Sequence, residues 1–67
     1  MSIDALLPQI EAARDAGALV ILKWDGQRVV DRCSVLVSHH QDDWAFRRDT
    51  DEPVAALREG LTEFLSR

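Results

Sequence analysis

The chain has 67 residues, 46% of them hydrophobic and 30% charged, and its 12 Asp+Glu against 8 Lys+Arg give a net charge of −4. That length allows one domain at most, spanning residues 1–67, with a thin core that buries only about 60% of the surface exposed by the unfolded chain. The acidic balance, with Arg14, Lys23, Arg28, Arg32, Arg47, Arg48, Arg58 and Arg67 scattered, argues against nucleic acid and anionic membrane, which need a segregated basic patch.

Cys33 is the only cysteine, so neither an intrachain disulfide nor a Cys-built zinc site is available. No stretch approaches the roughly 20 apolar residues of a membrane span. Met1–Pro8 lacks the basic start of a signal peptide, and a cytoplasmic location is expected.

The hydrophobic period changes twice along the chain. Ile3, Leu6, Leu7, Ile10 and Ala13 form one stripe at helical spacing, which predicts a helix over residues 3–16 that Ser2 can cap and Gly17 can end. Pro8 leaves two alternatives open, a kink within that helix or a turn followed by a helix starting at the proline.

Strand spacing then takes over. Residues 18–24 read as a strand, Asp25-Gly26 as a tight type I′ turn, and residues 28–38 as the returning strand. This pairing sets Ala18, Val20, Leu22 and Trp24 beside Cys33, Val35 and Val37 on one face. Leu19, Ile21 and Lys23 share the other with Arg32, Ser34 and Leu36. The first set is the cleaner core, and Cys33 reads as a small buried hydrophobe within it.

His39–Asp43 is a polar second turn, and residues 44–48 a third strand with Trp44 and Phe46 on one face. Asp49–Pro53 is a helix start, with Thr50 or Asp51 as cap and the proline near the beginning. Val54, Leu57, Leu61, Phe64 and Leu65 follow at helical spacing. Gly60 costs that helix about 1 kcal/mol relative to alanine unless close packing requires it.

The fold class expected is α+β, a two-layer α-β-β-β-α arrangement in which a three-stranded antiparallel meander carries two helices on one face. Leu19, Ile21, Val30 and Leu36 would then leave the outer face more apolar than a solitary monomer favours, a mark of interaction sites. The same element order occurs in double-stranded-RNA-binding domains. The likeness is one of order alone, and Asp49, Asp51 and Glu52 stand where such domains present basic side chains to phosphates.

The catalytic inventory is sparse. His39, His40, Asp42 and Asp43 are the one constellation with metal-ligand chemistry, but adjacent histidines on a strand point to opposite faces and a polar turn accounts for all four. Cys33 and His39 lie six residues apart on one strand, about 20 Å, too far for a nucleophile and its base. Gly17, Gly26 and Gly60 are too dispersed for a phosphate loop. No enzymatic activity and no cofactor are expected.

These readings point to a small acidic protein-binding module acting stoichiometrically on a basic protein partner, in the manner of inhibitors and immunity proteins. The proposed contact residues are Trp44, His39, His40, Asp42, Asp43, Asp49, Asp51 and Glu52, read as one acidic and aromatic edge in which the acids steer and Trp44 anchors. Trp24, at the end of the core face, is expected to pack inside. The alternatives are a homodimer joined through the sheet's outer face or the Trp44 strand, and a metal-binding protein using the His39–Asp43 turn.

Overall fold

The computed structural model describes residues 2–67. A 3-10 turn, Ile3–Leu6, leads into helix α1, Leu7–Asp15. Strands β1 (Leu19–Trp24), β2 (Cys33–His39) and β3 (Trp44–Thr50) follow, and helix α2 (Pro53–Ser66) ends the described chain. The protein is α+β, its three strands forming an antiparallel sheet in the order β1-β2-β3.

Pro8 starts a helix rather than kinking one. It is the second residue of α1, where its missing N–H is among those that have no intrahelical acceptor anyway. The turn before it explains why the apolar stripe runs back to Ile3. Ser2 makes no side-chain cap; its backbone carbonyl accepts the Ala5 N–H instead.

Gly17 closes α1 with φ +91. The Ala18 N–H donates to the Ala13 carbonyl and the Gly17 N–H to that of Arg14, both at 2.9 Å, which satisfies carbonyls the helix leaves open.

The register fixes the two faces. Val20 pairs with Val37, Leu22 with Val35 and Trp24 with Cys33, while Val37 and His39 pair across to Phe46 and Trp44. Those residues point toward the helices. Val35, Val37, Cys33 and Phe46 close a buried core with Leu6 and Ala13 from the N-terminal helical segment and Ala56, Leu57, Leu61 and Phe64 from α2. The core face assigned from strand spacing is therefore the buried one, Cys33 included.

The first hairpin differs from the tight Asp25-Gly26 turn. β2 begins at Cys33, leaving residues 25–32 as an eight-residue loop. Gly26 does not take the positive φ a type I′ turn requires; Asp31 does, at φ 51. The Asp51 carboxylate accepts the N–H groups of Asp31 and Arg32, each at 3.0 Å, and so holds those residues out of the ladder. Facing survives because the loop grew from two residues to eight, an even change.

α2 also begins differently. Its N-cap is Glu52, with no side-chain cap. Thr50 Oγ1 accepts the Glu52 N–H at 2.9 Å, and Asp51 is committed to the loop. Along α2, Gly60 is buried, and a Cβ built there would run into Phe46 and Val37 of the sheet.

Candidate functional site

The eight residues proposed from sequence fall into two groups at opposite ends of β3. At one end, the last residue of β2, His39, is buried on the helix-facing side, its ring stacked on Phe64 with centroids 5.8 Å apart. His40 stacks on its outer side at 6.1 Å. Trp44, paired across from His39, is half-buried and tilts against Phe64 at 5.5 Å.

Arg67 closes this cluster from above. Its guanidinium lies 4.6 Å from the Phe64 ring centre and 5.4 Å from that of Trp44, and it donates to Asp42 Oδ2 at 2.6 Å. That hydrogen bond holds the Asp42 carboxyl below its ordinary range, against a smaller opposing loss of hydration; Arg67's charge and His39, 3.7 Å away, act in the same direction as the bond. Asp43, at φ 55, gives the turn its left-handed corner and stays exposed.

Asp49, Asp51 and Glu52 lie at the other end of β3, whose seven residues from Trp44 to Thr50 span about 20 Å. Asp49 accepts from Ser34 Oγ at 2.7 Å, with Arg28 and Arg47 at 3.4 and 3.5 Å. The serine bond is the main reason its carboxyl lies below the ordinary range. The Asp51 carboxyl is lowered by the two backbone N–H groups it accepts. Glu52 is exposed at the head of α2. The grouping expected as one contiguous edge is thus divided, and three of its carboxylates already have partners within the chain.

The two tryptophans exchange the roles assigned from sequence. Trp44 packs, while Trp24 is 64% exposed because β1 ends there and the wide loop turns away instead of covering it. In the loop that follows, Val29 is 90% exposed and Val30 66% exposed. Reading residues 28–38 as strand hid this pair. A returning strand of eleven residues opposite one of seven was the available signal that several must bulge out as loop.

Hydrogen bonds brace this loop at both ends. The Asp25 N–H donates to the Arg32 carbonyl at 2.7 Å, closing its base, and Asp25 Oδ1 accepts the Gln27 N–H at 2.9 Å. Arg28 reaches Ser34 Oγ at 2.9 Å and Asp25 at 3.3 Å. Asp51 fixes the far side. Beneath Trp24, an apolar slot of about 210 Å³ is lined by Ile3, Leu22, Pro53, Val54 and Leu57; a hollow of about 340 Å³ beside Asp51 and Arg32 shares the tryptophan as a wall.

Comparison with protein-family models, with curated proteins and with solved structures finds no match to this chain. Among the described residues no three His, Cys, Asp or Glu side chains converge as metal ligands, and no helix is long and apolar enough to cross a membrane.

Proposed function

We propose that this chain is a non-enzymatic protein-binding module that engages its partner through the Trp24–Val30 end. One observation carries the reading: a loop braced by side-chain and backbone hydrogen bonds holds two valines out in water, and the tryptophan at the end of the strand before it is exposed as well. Apolar residues that served only folding would turn inward. Holding them outward in an ordered loop removes most of the entropy a flexible loop would lose on binding. Trp24 beside an apolar slot has the make-up of an interface anchor.

The surroundings suit a basic partner. Asp4, Asp25, Asp31, Asp51 and Glu52 lie on or next to the segments lining this end, against Lys23, Arg28 and Arg32, within a chain of net charge −4. The acids steer approach and the apolar centre supplies affinity. Such a module acts stoichiometrically, by covering a surface, as inhibitors and immunity-type proteins do, and a cytoplasmic setting is the simplest one for it.

The test is affinity capture with the wild-type chain and with a Val29→Asp/Val30→Asp variant whose circular dichroism is unchanged. Partners retained by the wild type and lost by the variant support the reading. Retention by the variant, with loss in an Asp43→Lys/Glu52→Lys chain, would transfer the site to the acidic groups along β3.

A further inference from the structure

We infer that, given the binding reading above, the free edge of β1 takes an extended segment of the protein partner as a fourth strand, with one of its apolar side chains filling the slot beneath Trp24. β1 pairs with β2 alone. One hydrogen bond fixes which of its backbone groups are free. The Asp25 N–H donates to the Arg32 carbonyl, and that pair continues the register in which Trp24 lies opposite Cys33. Bonded and unbonded pairs alternate along an antiparallel ladder. Leu19, Ile21 and Lys23 therefore turn their N–H and C=O groups to β2, while Val20, Leu22 and Trp24 turn theirs outward. Ala18 keeps the alternation, its outward N–H donating to the Ala13 carbonyl. Among the described residues, the outward N–H groups of Val20, Leu22 and Trp24 have no acceptor.

The two edges of the sheet differ. By the same alternation β3 turns the backbone of Ala45, Arg47 and Asp49 outward, and its Arg47, Arg48 and Asp49 supply the charge that guards an edge against strand addition. β1 reads Leu-Val-Ile-Leu-Lys-Trp, with Lys23 its one charge. Leu22 and Trp24, two of the residues with free backbone groups, also line the slot of about 210 Å³, which Ile3, Pro53, Val54 and Leu57 complete. A residue added beside them with its side chain toward the helices enters that slot. Main-chain hydrogen bonds then supply affinity, and the pocket for an alternate side chain supplies specificity.

A second copy of this chain is the poorer occupant. Its own Val20 and Leu22 pack against its own core and leave no side chain for the slot. Two six-residue β1 edges, each covering roughly 20 by 15 Å, bury about 600 Å², well short of the about 1,200 Å² of a stable interface. An extended segment with no core of its own gives its alternate side chains to this chain and follows the edge onto exposed Trp24.

The charges set a pattern for that segment. Asp4 and Glu52 adjoin the slot residues Ile3 and Pro53 and make no ion pair among the described residues; Arg58 lines a neighbouring hollow with Glu52 but does not pair with it. Lys23 lies on the opposite, outer face with Ile21 and Leu36. A basic residue two places from the apolar one stays on the side of the acids, whereas one place away it meets Lys23.

The experiment selects random peptides displayed on phage against the intact chain, and compares two synthetic chains joined by ligation at Cys33. One is N-methylated at Leu22, which blocks the β1 edge without altering a side chain or a ladder bond. The other is N-methylated at Arg47, which does the same on the guarded edge. Enriched peptides should carry one large apolar residue with a basic residue two places away. They should bind the Leu22-methylated chain at least about tenfold more weakly than the wild type, and the Arg47-methylated chain equally well. In the wild type, bound peptide should slow amide exchange at Val20, Leu22 and Trp24, a result that decides the matter even if the Leu22-methylated chain fails to fold. No enriched peptide, peptides indifferent to methylation at Leu22, or no protection of those three amides overturns the inference. Peptides indifferent to that methylation but lost in Val29→Asp/Val30→Asp would leave the loop standing as the site without the added strand. Peptides lost on methylation and kept by Val29→Asp/Val30→Asp would establish the strand and remove the loop.

Discussion

Gly60 in α2 and Phe46 in β3 approach so closely that a Cβ on the glycine would lie 2.6 Å from Phe46 Cδ1, with Val37 Cγ2 at 3.1 Å. The missing side chain is what lets the helix settle onto the sheet. Gly60→Ala gains about 1 kcal/mol of helix propensity, yet a methyl forced into packed surroundings costs about 1–3 kcal/mol. A net loss of about 1 kcal/mol is expected, lowering the melting temperature by about 4–8 °C for a domain of this size. Phe46→Leu in the Gly60→Ala background should recover part of it. A melting temperature unchanged or raised by Gly60→Ala would mean that helix and sheet are not held this close.

The tryptophans provide a second prediction, because they differ in burial. Trp44→Ala removes contacts with Phe64 and Arg67 at the edge of the core. A half-buried tryptophan falls below the 3–5 kcal/mol of a full core deletion, so about 2 kcal/mol is expected. Trp24→Ala, at an exposed site, should cost no more than about 0.5 kcal/mol. Denaturant titration of the two variants distinguishes them, and acrylamide quenching offers a check. Trp24→Phe should remove the strongly quenched emission, while Trp44→Phe should leave it. The reverse order would restore Trp24 to the core.

Why the sequence misassigned these two residues is instructive. Alternation along β1 and β2 was enough for strand order, facing and core, since the side-chain period of two survives any even change in loop length. That is why Val20, Leu22, Cys33, Val35 and Val37 were legible while the hairpin between them was not. The position of β2's first residue depends on Asp51, nineteen and twenty residues beyond the amides it accepts. No local propensity encodes so distant a contact. Trp24 followed from the same error, since a tight turn would have continued the ladder beyond it. At the other end, sequence spacing reads a polar turn from His39 onward, whereas His39 is the buried last residue of β2 and the turn is residues 40–43; its commitment to Arg67 needed α2 to bring Arg67 back across the sheet.

Cys33 offers a third prediction. It is buried at the start of β2 with only a weak 3.9 Å contact from its thiol to the Ser34 carbonyl. Labelling by a thiol reagent should therefore follow opening of the domain, its rate rising with added denaturant as the unfolded fraction rises. Cys33→Ser leaves a hydroxyl in an apolar setting and should cost about 1–3 kcal/mol, more than Cys33→Ala. Prompt labelling of the native chain would contradict the burial.

The last prediction concerns acid, and Asp51 decides its form. Asp42, Asp49 and Asp51 all have carboxyl groups held below the ordinary value of 3.8. The unfolded chain therefore takes up protons at a higher pH than the folded one, and stability falls as pH falls. The contribution of these groups is complete above about pH 4 and is lost as pH drops through their lowered folded values. All three lie at the surface, so salt should reduce the share due to arginine contacts more than the share due to hydrogen bonds. Asp51 differs from the others in what its hydrogen bonds hold: the amides of Asp31 and Arg32, and with them the loop that carries Val29 and Val30. Asp51→Ala should flatten the acid limb of the stability curve and at neutral pH speed hydrogen exchange at those two amides. The core amides of β2 should change little, because opening the loop leaves the ladder from Cys33 onward intact. If the loop amides exchange no faster in Asp51→Ala, the carboxylate is not what orders the loop, and the pre-organisation on which the binding proposal rests would be absent.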